Sequence, residues 1–243
     1  MRLFGLIGYP LSHSFSKKYF TEKFERERIA GCQYELFPLS SIELLPDLLA
    51  SNPQLEGLSI TIPYKKQVVK YLDTSAIPEG LEACNCIRIH NKNLEGYNTD
   101  APAFEKSLTP LLKSHHVKAL VLGNGGAAEA VLFVLKKLGI PFNVVSRTLH
   151  KGSTLTYSDL DKRTIEESTI IINTTPLGMY PKMDDCPDIP YQYLSSAHLL
   201  YDLVYNPAKT LFLKKGEERG AAIKNGEEML VLQAEESWHI WNK

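Results

Sequence analysis

The sequence predicts an α/β protein made of two units. Two observations carry this expectation. Short apolar runs of strand length alternate with amphipathic runs of helix length along the 243 residues. A glycine cluster at residues 123–128 then sits between an apolar run and an Ala-rich amphipathic run, the arrangement of a strand, a tight turn and a crossover helix. Composition agrees with a globular chain, with 44% hydrophobic and 23% charged residues.

Leu3–Ile7 reads as a short buried strand, followed by the turn "YPLSHSFS" and a helix over Lys17–Arg28, with Phe20 and Phe24 one helical turn apart. "CQYELFPL" is strand-like. "SIELLPDLLAS" is helical, with Pro46 tolerated in a first turn. "LEGLSITI" is a strand closed by Pro63, "YKKQVVKYLD" is expected to be a helix, and "CNCIRIH" and "NLEGYNTD" flank a turn at Asn91-Lys92-Asn93. Cys84 and Cys86, two residues apart, are expected to share one face of a strand as core packing.

The second unit begins near Asp100. "PAFEKSLTPLLKS" is helical, and "VKALVLG", "FNVVS", "STIIINT" and "LLYDLV" are four strand candidates. A helix over Ala127–Leu138, stopped by Gly139 and Pro141, links the first two as a βαβ unit. The last run, Glu227–Trp241, is amphipathic. The expected division is residues 1–100, joined by a C-terminal helix at 226–243, and residues 101–225.

The formal net charge of -1 gives no bulk attraction to nucleic acid. No stretch reaches the roughly 18 apolar residues of a membrane span, and Met1–Gly8 does not read as a secretory leader. Cys32, Cys84, Cys86 and Cys186 form no C-x-x-C pair and no metal spacing. Together these predict reduced thiols in a cytoplasmic protein that holds no metal and acts on a small molecule, without nucleic-acid or membrane partners.

In "GNGGAA" the third glycine of the G-x-G-x-x-G fingerprint is Ala128, a replacement the fingerprint permits. Glycines let the backbone approach a pyrophosphate, and the helix N-terminus offers free N–H donors. The second strand of the unit ends in Ser146-Arg147-Thr148, followed by His150 and Lys151. An NAD site carries an acid there to hold the ribose 2′-hydroxyl. A carboxylate would repel a 2′-phosphate, whereas a guanidinium binds it through paired charge-assisted bonds. The cofactor expected is therefore NADP, on a Rossmann-like doubly wound parallel sheet.

In the first half, Ser14 and Ser16 stand at a helix mouth, where two hydroxyls and free N–H groups suit a small carboxylate; N-capping alone also accounts for such a serine. Thr61 leaves the end of a strand, and Lys65 lies just past Pro63. An ammonium there can polarise a carbonyl and deliver a proton. Asp100, in "YNTD", is placed to pair with it.

Nine stretches in order, "SHSFS", "SITIPYK", "ACN", "GYNTD", "GNGGAA", "SRT", "NTTPLGM", "YDLVYNP" and "NGEEMLVLQA", resemble shikimate dehydrogenase across nearly the whole chain. The resemblance implies an N-terminal α/β substrate domain and an NADP domain with a cleft between them. It implies NADPH-dependent reduction of 3-dehydroshikimate to shikimate in aromatic amino acid biosynthesis, by a monomer or homodimer. It matches Lys65 and Asp100 to the catalytic pair. Ser14, Ser16, Thr61, Asn85, Tyr205 and Gln233 match substrate-site positions. Gly123, Gly125, Gly126 and Ala127 match the phosphate loop, and Ser146, Arg147 and Thr148 the 2′-phosphate site. Thr174, Gly226 and Met229 match positions near the ribose and nicotinamide.

Some positions depart from the family pattern. Ser59 and Ser146 stand where the family usually has Asn, Ala101 where it has Gly, and Lys151 where it has a later Arg. "NGEEML" is less apolar than usual, and the chain is trimmed between Lys151 and Glu167, where a helix is expected. A quinate/shikimate dehydrogenase of broader specificity and a non-catalytic NADP-binding regulator remain alternatives.

Overall fold

The computed structural model describes residues 1–11, 14–149 and 152–243. Ser12 and His13 of "SHSFS", and His150 and Lys151 beyond the second strand, lie outside the described residues. The chain divides into two compact units: Met1–Asp100 with Gln233–Lys243, and Ala101–Leu232.

Unit 1 contains β1 (Arg2–Gly8), α1 (Phe15–Arg26), β2 (Cys32–Pro38), α2 (Leu45–Ser51), β3 (Leu55–Ile60), β4 (Cys86–His90) and β5 (Asn93–Tyr97). Its sheet runs β2-β1-β3-β4-β5. β1 pairs in parallel with β2 and β3, while β4 pairs antiparallel with β3 and β5. Alternation along β1 feeds two cores. Leu3 and Ile7 pack with Leu58 and Ile87 in one cluster, and Phe4 and Leu6 with Phe20, Phe24 and Trp241 in another. The apolar face of α1 anticipated from Phe20 and Phe24 is thus used as core.

Two local expectations are corrected. Residues 64–73 do not form an α-helix but a 3-10 turn over Gln67–Tyr71. The Lys65 carbonyl is taken by the Cys84 N–H at 2.8 Å, and the Val69 N–H reaches back only three residues, to Lys66. The i to i−4 ladder therefore cannot run through this stretch. Cys84 and Cys86 belong to different clusters rather than one face. Cys84 precedes β4, in the stretch tied to Lys65, so strand alternation does not apply to it.

Unit 2 contains α3 (Asp100–Leu108, entering from unit 1), β6 (Ala119–Leu122), α4 (Gly126–Lys137), β7 (Phe142–Ser146), β8 (Leu155–Thr156), α5 (Lys162–Glu167), β9 (Ile170–Asn173), β10 (Leu199–Asp202), α6 (Leu211–Glu217), β11 (Ala222–Lys224) and the start of α7 (Glu227–Trp241), which belongs to unit 1 from Gln233 onward. Its sheet is parallel throughout, in the order β11-β10-β9-β6-β7-β8. Counted from β6, that is the 3-2-1-4-5-6 order of the doubly wound dinucleotide-binding fold. The sheet has six strands rather than four, because β8 and β11 are too short to leave a periodic signal. Eight residues of sequence, 147–154, separate β7 from β8, and the described ones among them form no helix; a parallel crossover normally needs a dozen or more residues.

Gly57, in β3, faces the indole of Trp241, whose Nε1 donates to the Ile87 carbonyl at 2.9 Å. A Cβ on Gly57 would lie 2.4 Å from that ring. Gly57→Ala should therefore destabilise the protein by about 1–3 kcal/mol, read as a lowered urea midpoint with an unchanged slope.

Candidate functional site

In unit 1 the local chain builds an ammonium–carboxylate pair. β3 ends at Ile60, and the Tyr64 side chain is buried with its hydroxyl donating to the Leu39 carbonyl at 2.5 Å. With the Cys84 N–H on the Lys65 carbonyl, the backbone of Lys65 is held from both sides. Lys65 Nζ lies 2.6 Å from Asp100 Oδ2, with side-chain exposures of 20% and 14%. Asp100 sits in the first turn of α3, where the helix dipole favours a carboxylate.

The β4–β5 hairpin turns on Asn91 and Lys92, both at positive φ. Its register, Cys86 opposite Tyr97, brings Asn85 and Thr99 to the same end. Asn85 Nδ2 donates to Thr99 Oγ1 at 2.9 Å, and the Thr99 N–H donates to Asn85 Oδ1 at 2.6 Å. Thr99 Oγ1 also meets Ser237 Oγ at 3.2 Å, and Ser237 donates to the Gln233 carbonyl. Asn85, Asp100 and Gln233 are thus linked through Thr99 and Ser237, two fully buried residues to which sequence reasoning assigned no role. The spacing of Ser237 one helical turn after Gln233 was the available signal.

Ser14 caps α1: the Lys17 N–H donates to its Oγ at 3.2 Å, which leaves the hydroxyl proton free to donate elsewhere. Ser16 lies in the first turn of α1, half-buried. The buried Tyr34 hydroxyl lies near Ser16 and Ser59 without a well-formed hydrogen bond to either. Thr61 follows β3, its N–H on the Ile7 carbonyl. α1 is fastened to the last part of α7 by Lys23, 4% exposed, whose Nζ lies 2.9 Å from Glu235 and 3.0 Å from Glu27; the Tyr19 hydroxyl also donates to Glu235.

In unit 2 a cavity of about 540 Å³ lies at the carboxyl ends of β6, β7 and β9, the topological switch point. Gly123, Asn124 and Gly125 line it, with Val145–Thr148, Thr174–Leu177 and Tyr157. Gly123 has φ +103°, and a Cβ there would strike Thr174 Oγ1 at 2.8 Å. Gly125 and Gly126 face open space, so the backbone there is bare to a ligand at the start of α4. Ala127 follows in the first turn, and Ala128 is fully buried against the sheet.

Arg147 and Thr148 are exposed, and among the described residues no carboxylate pairs with Arg147. Ser146 differs from expectation: its O–H already donates to the Thr148 carbonyl at 2.6 Å, so it shapes the turn rather than offering a free donor. Thr174 donates to the Leu122 carbonyl at 2.8 Å. Gly226, Met229 and Tyr205 lie in unit 2 but not among the residues lining this cavity. A Cβ on Gly226 would meet the Leu203 carbonyl oxygen at 2.2 Å, Met229 is buried, and burial raises the Tyr205 phenol.

A brace behind the cavity escaped the sequence reading, although both ends lie in quoted motifs. Asp202 is fully buried. It accepts from Asn173 Nδ2 at 2.9 Å, Val204 N–H at 3.0 Å and Thr210 Oγ1 at 2.5 Å. Asn173 Oδ1 in turn accepts from the N–H and hydroxyl of Thr175, which lines the cavity.

A parallel sheet of this order, with a bare glycine turn and an exposed guanidinium at its switch point, defines a dinucleotide-binding protein of the doubly wound class. Unit 1 adds a pre-paired lysine and aspartate. Residues 6–87 match the family model for the shikimate dehydrogenase substrate binding domain. The chain is 39% identical to shikimate dehydrogenase (NADP(+)) of Clostridium beijerinckii, covering 100% of this chain and 93% of that one. It superposes with a TM-score of 0.86 and 34% identity on a chorismate mutase/shikimate 5-dehydrogenase fusion protein from Clostridium acetobutylicum, covering 100% of this chain and 91% of that one. Shikimate 5-dehydrogenase from Thermus thermophilus, solved in complex with NADP(H) and shikimate, gives a TM-score of 0.85 at 27% identity, covering 99% and 93%. The chain belongs to the shikimate dehydrogenase family.

Burial raises the Asp202 carboxyl to about 6, against about 3.9 in an unfolded chain. The folded state then holds a proton that the unfolded state releases. That contribution to stability is full below about pH 3.9 and is lost as pH rises through about 6. Asp202→Asn cannot titrate. Between about pH 4 and about pH 7, wild type should lose up to about 3 kcal/mol of stability relative to D202N. Urea midpoints at the two pH values read this, and an unchanged difference would mean an ordinary carboxyl.

Proposed function

We propose that this chain catalyses the reversible NADPH-dependent reduction of 3-dehydroshikimate to shikimate, with unit 1 as the substrate domain and unit 2 as the NADP domain. The single observation that carries this reading is the Lys65–Asp100 pair at 2.6 Å, formed inside unit 1. The bare glycine turn and the exposed Arg147, which no carboxylate pairs among the described residues, suit a 2′-phosphorylated dinucleotide.

Bound NADPH supplies a hydride to the C3 carbonyl carbon. Lys65 stabilises the negative charge that develops on the carbonyl oxygen and delivers the proton, directly or through water. Asp100 orients the ammonium and accepts a hydrogen bond from a ring hydroxyl. Ser14 and Ser16 donate to the substrate carboxylate. Thr61, Asn85 and Gln233 surround the ring, and Asn85 retains one N–H and one lone pair beyond its two bonds to Thr99. Gly123, Gly125, Gly126 and Ala127 cradle the pyrophosphate. Arg147 and Thr148 hold the 2′-phosphate on the turn that Ser146 shapes, and Thr174, Gly226 and Met229 flank the ribose and nicotinamide. All four cysteines are free thiols, which supports a reducing cytoplasm. The enzyme acts there on a free small molecule, without nucleic acid, as a monomer or homodimer.

The decisive assay follows nicotinamide absorbance with shikimate and with quinate, each with NADP and NAD. Shikimate with NADP should be the fastest combination; a preference for quinate would assign the broader enzyme, and no turnover with either would assign a cofactor-binding regulator. Lys65→Ala should lower kcat by about 10²–10⁴-fold while leaving NADPH binding intact, and turnover like wild type would remove the mechanism. Arg147→Ala should raise KM for NADPH roughly 10- to 100-fold with little change for NADH. Equal loss for both cofactors would remove the 2′-phosphate role.

A further inference from the structure

Tyr157 lines the switch-point cavity although no motif includes it. Its place follows from the short connection after β7. β8 pairs with the end of β7 in the register Ser146 opposite Thr156. The next residues, Arg147 and Tyr157, therefore lie side by side at the strand ends. The connection is secured where the Thr154 N–H donates to the Val144 carbonyl and the Val144 N–H donates to Thr154 Oγ1, both at 2.9 Å. Beyond it, a capping box between Thr156 and Asp159 fixes the 3-10 turn that begins at Tyr157.

The phenol hydroxyl is inaccessible to solvent and has no hydrogen-bond partner among the described residues. The residue as a whole is only half-buried. The side chain packs against the apolar core of unit 2, and the residue also lines the cavity. Val145, Pro176 and Leu177 supply further apolar wall. A flat π-surface beside a guanidinium that holds a ribose 2′-phosphate is within reach of the base on that same ribose, and aromatic rings bind bases by stacking.

We propose that the ring of Tyr157 is the stacking wall for the adenine of the cofactor, a binding residue outside the phosphate loop and the Ser146–Thr148 turn. This rests on the reading that the cavity takes NADP. The probe is adenosine 2′,5′-bisphosphate, titrated calorimetrically into the full chain as wild type, Y157F and Y157L. Wild type must bind; if it does not, the cofactor reading of the cavity fails, and this assignment with it. With wild type binding, Y157F should retain affinity within about 2-fold and Y157L should lose roughly 5- to 150-fold. ADP, which lacks the 2′-phosphate, should show the same ratio. KM for NADPH of Y157L should rise by the same factor as the loss of affinity for the bisphosphate. Y157L binding as well as wild type, or Y157F losing as much as Y157L, overturns the assignment. If Y157L does not fold, Y157M makes the same comparison with a flexible non-aromatic side chain.

Discussion

The placement of one ammonium against one carboxylate governs the architecture of unit 1. Lys65 and Asp100 are both largely withdrawn from water, and a charge so placed needs its partner, because losing either leaves the other uncompensated. Their meeting depends on backbone, not on the two side chains alone. The Cys84 N–H claims the Lys65 carbonyl and Tyr64 is sunk in the core, so the turn after β3 cannot wander. The Asn85–Thr99 bonds at the open end of the hairpin deliver Asp100 to the start of α3. The same hairpin thus serves both partners of the pair.

Unit 2 follows a different logic. Its chemistry is carried by backbone geometry at the switch point, where the paired strands β6 and β9 send their connections in opposite directions, to β7 and to β10. Gly123 is required by its positive φ and by the nearness of Thr174, whereas Gly125 and Gly126 face open space at the start of α4. The loop that carries Thr174 and Thr175 is braced by the buried Asp202 through Asn173. Preorganisation is bought there with a buried carboxyl whose desolvation is offset by three donors.

Much of this was legible beforehand where period and punctuation were strong. The helices at Phe15–Arg26, Gly126–Lys137 and Glu227–Trp241 and the strands at Arg2–Gly8 and Ile170–Asn173 follow from apolar spacing ended by turn residues. The 3-10 turn at Gln67–Tyr71 did not, because the N–H of distant Cys84 takes the Lys65 carbonyl and overrides local propensity. Cys84 and Cys86 were misassigned to one face for the same reason. β8 and β11 span two and three residues, too few for any period to register.

The sequence by itself determined the α/β class, the glycine turn before α4 and the absence of an acid after β7, because each rests on residue types at fixed short spacings. Only the tertiary structure decided that Lys65 and Asp100 meet, that the Ser146 proton is already used, and that Tyr157 stands beside Arg147. Those facts depend on hydrogen bonds and strand register between residues far apart in the chain, which no local pattern encodes.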